Sequence, residues 1–232
     1  ELLEGTLLPK ALSRVTLVFV PVFNVDGHER FGPHNRPNQI GPEQMGWRVT
    51  AQNYNLNRDY AKADAPEMVA MLQLLQQFMP VMYVDLHVTD GAKFQHDVSV
   101  TFEPWATGPE NLRALGKSLK VSLFAELESK GHLPVGFYPS FNDDEDPKSG
   151  FSYGWPPPRF SNAYWAAHNR FGMLVETHSW KDYKTRVKAH FDVCASLIRQ
   201  ASEDGDRWLK AARDADADDV LLWAEAQMVG AA

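Results

Sequence analysis

The stretch VMYVDLHVTDG, residues Val81 to Gly91, decides the fold predicted for this chain. It begins as a short apolar run of the kind that is buried in a sheet, and it ends in polar residues. Alternation along a strand sends Asp85 and His87 to the same face. Ligands of open α/β sheets bind beyond the carboxyl ends of the strands, so a histidine beside a carboxylate there indicates a site residue. The competing interpretation is a buried histidine with a structural hydrogen bond.

The composition narrows the class of protein before any motif is considered. The chain has 232 residues, 44% hydrophobic and 23% charged, which is typical of a soluble globular protein with one large domain. The net charge of −7 and the lack of a basic stripe predict no nucleic-acid partner. No apolar run approaches the roughly 20 residues that a membrane span needs. The single Cys194 excludes an intrachain disulfide.

Buried strands alternate with amphipathic helices along the chain. Besides the opening stretch, strands are predicted at Val15 to Val20, Asp97 to Phe102 and Phe171 to Thr177. Helices are predicted from an N-cap at Asp64 to Phe78, from Pro109 to Lys130, and from Lys181 onward with a polar break at Asp214 to Asp219. This alternation predicts an α/β fold, a three-layer α/β/α arrangement with a mixed, mostly parallel sheet.

Two segments between the predicted strands carry groups suited to binding an anion. Asn57 and Arg58 form an adjacent amide and guanidinium that can hold a carboxylate. The alternative is that Arg58 pairs with Asp59 or Asp64 at a helix entry. Arg48, in the preceding loop, can stabilise negative charge on a carbonyl oxygen, or it is a solvated loop residue.

Glu176 ends the last predicted strand, after four apolar residues. Burial raises the pKa of such a carboxylate, which suits a general base near neutral pH. A structural ion pair is the competing interpretation.

Five landmarks, taken in order, resemble the zinc carboxypeptidases of the M14 (carboxypeptidase A-like) family over about Val15 to Tyr183. They are Asn24-Val25-Asp26-Gly27, Trp47-Arg48, Leu56-Asn57-Arg58, Asp85-Leu86-His87 and Leu174-Val175-Glu176. The family usually has Asn-Pro-Asp-Gly at the first of these.

The resemblance implies a role for each matched residue. His87 is implied as a ligand of Zn²⁺, with Asp85 beside it as an orienting carboxylate. Asn57 and Arg58 match the pair that grips the C-terminal carboxylate of the substrate. Arg48 matches the arginine that polarises the scissile carbonyl, and Glu176 matches the general base.

Two departures from the family pattern concern the metal and the pocket wall. The other two zinc ligands come from a His-x-x-Glu motif upstream of the first landmark, and no histidine precedes Val15. Since a catalytic zinc needs three protein ligands, this chain is predicted to be a fragment with an incomplete site. For the tyrosine that faces the substrate, Tyr153 and Tyr164 both remain candidates, with Arg159 between them.

The function expected from this resemblance is a metallocarboxypeptidase that acts on peptides with a free C-terminal carboxylate. The alternatives are an amino-acid deacylase or peptidoglycan-peptide hydrolase on the same fold, or a metal-free peptide-binding relative. Residues 1–200 are expected to form the catalytic domain and residues 201–232 a helical extension. The resemblance suggests a secreted or periplasmic location, although no signal peptide opens the given chain.

Overall fold

The computed structural model describes the backbone of residues 1–90, 93–105 and 107–229, and side chains as far as residue 217. Gly91, from the opening stretch, and residues 230–232 of the predicted extension lie outside the described residues. The helices are α1 Val25–Glu29, α2 Pro66–Phe78, α3 Glu110–Ser129, α4 Ser161–Ala166 and α5 Tyr183–Val229. The strands are β1 Met82–Val88, β2 Val98–Glu103, β3 Pro134–Val135, β4 Ser140–Phe141, β5 Phe151–Ser152 and β6 Phe171–Thr177.

The main sheet has four strands in the order β1-β6-β2-β3. Strand β6 pairs in parallel with β1 and antiparallel with β2, and β2 pairs in parallel with β3. Strands β4 and β5 form a separate antiparallel pair. The sheet is therefore mixed, with two of its three strand pairs parallel, and this confirms the predicted α/β fold.

Helices cover both faces of this sheet. Alternate residues of β6, such as Met173 and Val175, enter a core that includes residues of α3 and α5. A second core on the other face joins α2, α4 and Tyr83 of β1, with Met68 and Trp165 fully or almost fully buried. The two cores make the three layers that the alternation of elements predicts.

A glycine lets α4 lie directly against β6. A Cβ atom at Gly172 would stand 2.0 Å from the carbonyl oxygen of Asn162, inside the van der Waals contact distance. Only glycine therefore allows this close approach of strand and helix. The contact holds Asn162 over the face of the sheet that carries Leu174 and Glu176.

The prediction of a strand at Val15 to Val20 is wrong. The segment has no strand structure, and Val18, Phe19 and Val20 are 45%, 66% and 42% exposed. A buried strand needs neighbours for its backbone hydrogen bonds, and among the described strands none pairs with this segment. An apolar composition indicates β-propensity, but it does not provide a neighbouring strand with which the segment could pair.

Two helix boundaries also differ from the prediction. The N-cap of α2 is Ala65, not Asp64, because the carboxylate of Asp59 accepts hydrogen bonds from the N–H groups of Asp64 (3.1 Å) and Ala65 (2.9 Å). Helix α5 continues without a break through Asp214 to Asp219. Ion pairs from Lys210 to Asp214 and from Arg170 to Asp216 engage carboxylates of this polar stretch.

The domain prediction is not tested, although α5 crosses from residue 200 to residue 201 without interruption. In the described part of the chain, no helix is both long enough and apolar enough to cross a bilayer.

Candidate functional site

One cavity of about 950 Å³ opens where β1 and β6 end, and its wall includes all five side chains predicted for the site. These are Arg48, Asn57, Arg58, His87 and Glu176. They come from a loop, a 3-10 turn and two strands, so the fold brings together residues that are far apart in the sequence, from Arg48 to Glu176. The place agrees with the expectation that sites form at the carboxyl ends of parallel strands.

His87 lies between two carboxylates. It pairs in register with Glu176 across β1 and β6, and its Nε2 lies 3.0 Å from Oδ1 of Asp85. Burial alone would lower the pKa of His87, but the charge and hydrogen bond of Asp85, together with the charge of Glu176, raise it to about 9. The predicted pairing of Asp85 with His87 is confirmed, whereas the metal-ligand role of His87 stays a prediction.

Glu176 is a buried carboxylate, only 5% exposed, at the floor of the cavity. Among the described residues, its Oε2 has no hydrogen-bond partner. Burial raises its pKa to about 7, against the opposing effect of the positively charged His87. A carboxylate in this state can exchange protons near neutral pH, and no structural ion pair with an arginine or lysine satisfies it in the described chain.

The 3-10 turn Leu56–Arg58 presents Asn57 and Arg58 to the cavity. Arg58 donates a hydrogen bond to its neighbour's carbonyl oxygen at 2.6 Å and lies 4.4 Å from the centre of the Phe160 ring. In the described structure it forms no ion pair with Asp59 or Asp64, because Asp59 accepts from the backbone just before α2 and Asp64 pairs with Lys62. The helix-entry interpretation of Arg58 is therefore wrong.

The first landmark, Asn24-Val25-Asp26-Gly27, positions the loop that carries Arg48 through hydrogen bonds. Asn24 caps α1 by accepting from the N–H of Gly27 at 3.0 Å, and its amide donates to the carbonyl oxygen of Arg48 at 3.2 Å. The N–H of Trp47 donates to the carbonyl oxygen of Gly27 at 2.6 Å. A Cβ atom at Gly27 would lie 2.3 Å from the Trp47 carbonyl oxygen, so the close approach requires glycine.

Arg36 and Tyr138 are two ionisable residues of the cavity wall that the sequence analysis missed. The Tyr138 hydroxyl accepts from the N–H of Asp90 at 3.3 Å, and burial with the charge of Glu176 raises the pKa of Tyr138 to about 12. Both residues follow or precede prolines in long irregular segments, where no periodicity marks them. The only sequence signal was an unusually long polar loop around Arg36.

Of the two tyrosine candidates, Tyr153 lies in the wall of the cavity. Tyr164 instead packs in α4, with its ring centre 5.7 Å from that of Tyr60 and 4.8 Å from that of His168. Arg159 lies near Arg58, with its guanidinium 5.2 Å from the centre of the Phe160 ring. The position of Tyr153 makes it the better candidate to face a substrate.

The side chains near His87 do not fit a complete catalytic zinc site. Among the described residues, no group of three histidine, cysteine, aspartate or glutamate side chains is arranged to hold a metal ion. A catalytic zinc takes three protein ligands and a water molecule. Among the described residues, His87 is thus a single candidate ligand.

Comparisons with known proteins give partial structural overlaps. No protein-family model and no curated protein matches the chain. A metallo-carboxypeptidase from Pseudomonas aeruginosa, in complex with (2-guanidinoethylmercapto)succinic acid, overlaps with a TM-score of 0.48 and 12% identity, over 70% of this chain and 42% of that one. A metallo-carboxypeptidase from Burkholderia cenocepacia has a TM-score of 0.48 and 14% identity, over 69% of this chain and 41% of that one.

A metallopeptidase candidate from Shewanella denitrificans overlaps with a TM-score of 0.49 and 19% identity, over 84% of this chain and 64% of that one. The chain therefore spans about two-fifths of the length of the first two structures and under two thirds of the third.

Proposed function

We propose that this chain carries the substrate-binding and general-base residues of a zinc-dependent metallocarboxypeptidase, which removes the C-terminal residue of peptides. The observation that supports this most is the single cavity shared by Arg48, Asn57, Arg58, His87 and Glu176. The same five residues carry the resemblance to that family, and they come from segments far apart in the sequence.

In this proposal, Asn57 and Arg58 bind the C-terminal carboxylate of the peptide. Asn57 lines the cavity, and its amide nitrogen is a donor suited to a carboxylate. Arg48 stabilises negative charge on the scissile carbonyl oxygen. Glu176, with a pKa of about 7, takes a proton from the attacking water and passes it to the leaving amine.

A metal-free peptide-binding relative is the second candidate. It is favoured by one observation, that the described residues offer no three-ligand metal site. Both candidates require the carboxylate clamp, and only the enzyme requires zinc and Glu176. A deacylase or a peptidoglycan-peptide hydrolase would use the same clamp on a different acyl group.

The clamp is tested by binding acetyl-Ala-Ala-Phe, as the free acid and as the C-terminal amide, measured by calorimetry. We expect the acid to bind about tenfold tighter or more, since a charge-assisted hydrogen bond contributes about 1.5–3 kcal/mol. Arg58→Gln should abolish this difference. Arg207→Gln, which removes the same charge from a 69% exposed side chain on α5, should preserve it. Equal binding of acid and amide by the unmodified chain would contradict the proposal.

A further inference from the structure

Two cationic side chains of the cavity wall have no use in the proposed function, Lys120 and Arg36. Lys120 donates a hydrogen bond to the carbonyl oxygen of Gly136 at 3.1 Å, which leaves Arg36. It lies in the loop after α1, half-buried, and it lines both the main cavity and a smaller adjoining one of about 480 Å³. The smaller cavity shares Arg36, Arg48 and Asp90 with the larger and adds Asn35, Asn38 and Trp47. A ligand that fills the main cavity therefore has an extension of the same space beside Arg36.

The guanidinium of Arg36 is not used by the fold. In the described structure it makes no hydrogen bond and no ion pair, although Asp90 and Glu176 are near enough to act on its charge. Asp90 is engaged elsewhere, since its Oδ1 accepts from Asn38 at 3.1 Å. Burial and the neighbouring Arg48 lower the pKa of Arg36, so a ligand group that pairs with the guanidinium would stabilise its charge.

Arg36 is also separate from the carboxylate clamp. All three of Arg36, Arg48 and Arg58 line the main cavity, but Arg36 and Arg48 also line the smaller adjoining one, and Arg58 does not. The cavity wall carries as many carboxylates (Asp90, Glu103, Asp144 and Glu176) as cationic side chains, so an anionic ligand would be recognised there by direct pairing with an unpaired guanidinium and not by an overall positive field.

We propose that Arg36 binds a second anionic group of the ligand, so that the cavity selects acidic peptides: a free C-terminal carboxylate at Arg58 and an acidic side chain at Arg36. The inference rests on the proposed function, because the clamp at Arg58 sets where the peptide lies. Guanidinium groups pair with carboxylates in a bidentate geometry that suits this task.

The test compares acetyl-Glu-Glu-Glu with acetyl-Gln-Gln-Gln, both as free acids, by calorimetry on the whole chain. The two peptides have similar size and differ in side-chain charge. We expect the glutamate peptide to bind about tenfold tighter or more, which is the size of one charge-assisted hydrogen bond. Arg36→Gln should remove most of that preference and Arg36→Lys should keep part of it. Arg207→Gln, with the same change of net charge, should keep all of it, and thermal unfolding checks that each variant is folded.

Three results would overturn the proposal: no preference for the glutamate peptide, a preference that survives in Arg36→Gln, or no binding of either peptide. The C-terminal amide of the glutamate peptide separates this inference from the proposed function. If the amide binds as tightly as the acid while the preference still depends on Arg36, the clamp at Arg58 is wrong and the anion site at Arg36 stands.

Discussion

His87 and Glu176 occupy paired positions on the parallel strands β1 and β6, and both side chains line the same cavity. The fold thus places a histidine whose pKa is raised to about 9 beside a carboxylate whose pKa is raised to about 7. The raised pKa of His87 is favourable to the folded state, whereas the raised pKa of the buried Glu176 is a cost to it, and perturbed groups of this kind concentrate at functional sites. The cost at Glu176 can be measured as a change in the free energy of unfolding when its charge is removed.

Glu176→Gln should stabilise the folded chain at pH 8. The folded-state pKa of Glu176, about 7, lies above the ordinary value of 4.5, so the folded protein holds a proton that the unfolded chain has lost between those pH values. Stability contributed by this group therefore falls as the pH rises from about 4.5 to about 7. We expect the variant to gain about 3 kcal/mol in free energy of unfolding at pH 8, measured in urea, and nothing near pH 4.

Glu128→Gln, at an exposed position near the end of α3, is the matched control and should change stability by less than about 0.5 kcal/mol. A loss of stability in Glu176→Gln at pH 8 would mean that the carboxylate is satisfied in the folded protein, contrary to the unpaired Oε2 atom.

Asp192→Asn should lower the free energy of unfolding at neutral pH, and this effect should disappear at acidic pH. Asp192 is buried on α5, where it contacts His132 at 2.9 Å, Lys130 at 3.1 Å and Lys188 at 2.5 Å. Burial opposes its charge, but these three donors lower its pKa to about 2. Because the folded-state pKa is below the ordinary 3.8, the stabilisation is present above about pH 4 and lost as the pH falls toward 2.

The expected loss in Asp192→Asn is about 2 kcal/mol at pH 7, from urea unfolding, and it should shrink steadily between pH 4 and about 2. Asp204→Asn is the control, since its pair with Arg207 is exposed and should be worth less than about 1 kcal/mol. Equal effects of the two substitutions would show that the contacts of Asp192 add nothing beyond a surface pair.

The parts of the fold that the sequence predicted are those set by local pattern. Strand β6 has the predicted bounds, Phe171–Thr177, because a run of apolar residues between polar ones is a local signal. The Val15 to Val20 segment has the same signal and is no strand, because pairing depends on residues far away in the chain. Pattern alone does not separate the two cases.

The residues of the candidate site also divide into those that local sequence motifs predict and those that only the folded structure reveals. Arg48, Asn57, Arg58, His87 and Glu176 were predicted because each follows a recognisable landmark, and the cavity brings them together. Arg36 and Tyr138 were missed because they reach the cavity only through the path of irregular loops. Their role depends on the charges around them, such as Asp90 for both residues, and those neighbours are defined only by the folded structure.

Zinc should bind the chain weakly, because His87 has no two further ligands among the described residues. Calorimetric titration of the purified chain with zinc chloride near neutral pH is expected to give a Kd weaker than about 1 μM, with no peptide turnover. His87→Ala should leave this weak binding unchanged. Tight binding of one zinc ion per chain that disappears in His87→Ala would contradict the prediction.

Gly172→Ala should disrupt the contact between α4 and β6, and with it the wall of the cavity. The added Cβ would lie 2.0 Å from the carbonyl oxygen of Asn162, a backbone atom that cannot turn aside as a side chain would. We expect the free energy of unfolding to fall by about 1–3 kcal/mol or more, the usual cost of overpacking a core. Since Asn162 and Leu174 both line the cavity, binding of acetyl-Ala-Ala-Phe should weaken as well.

Gly205→Ala is the matched control, because a Cβ there meets nothing within 4 Å in the middle of α5, and alanine in place of glycine stabilises a helix by about 0.5–1 kcal/mol. If Gly172→Ala were as stable as the unmodified chain and bound the peptide equally well, the close packing of α4 on β6 would be wrong, and with it the position of this wall of the cavity.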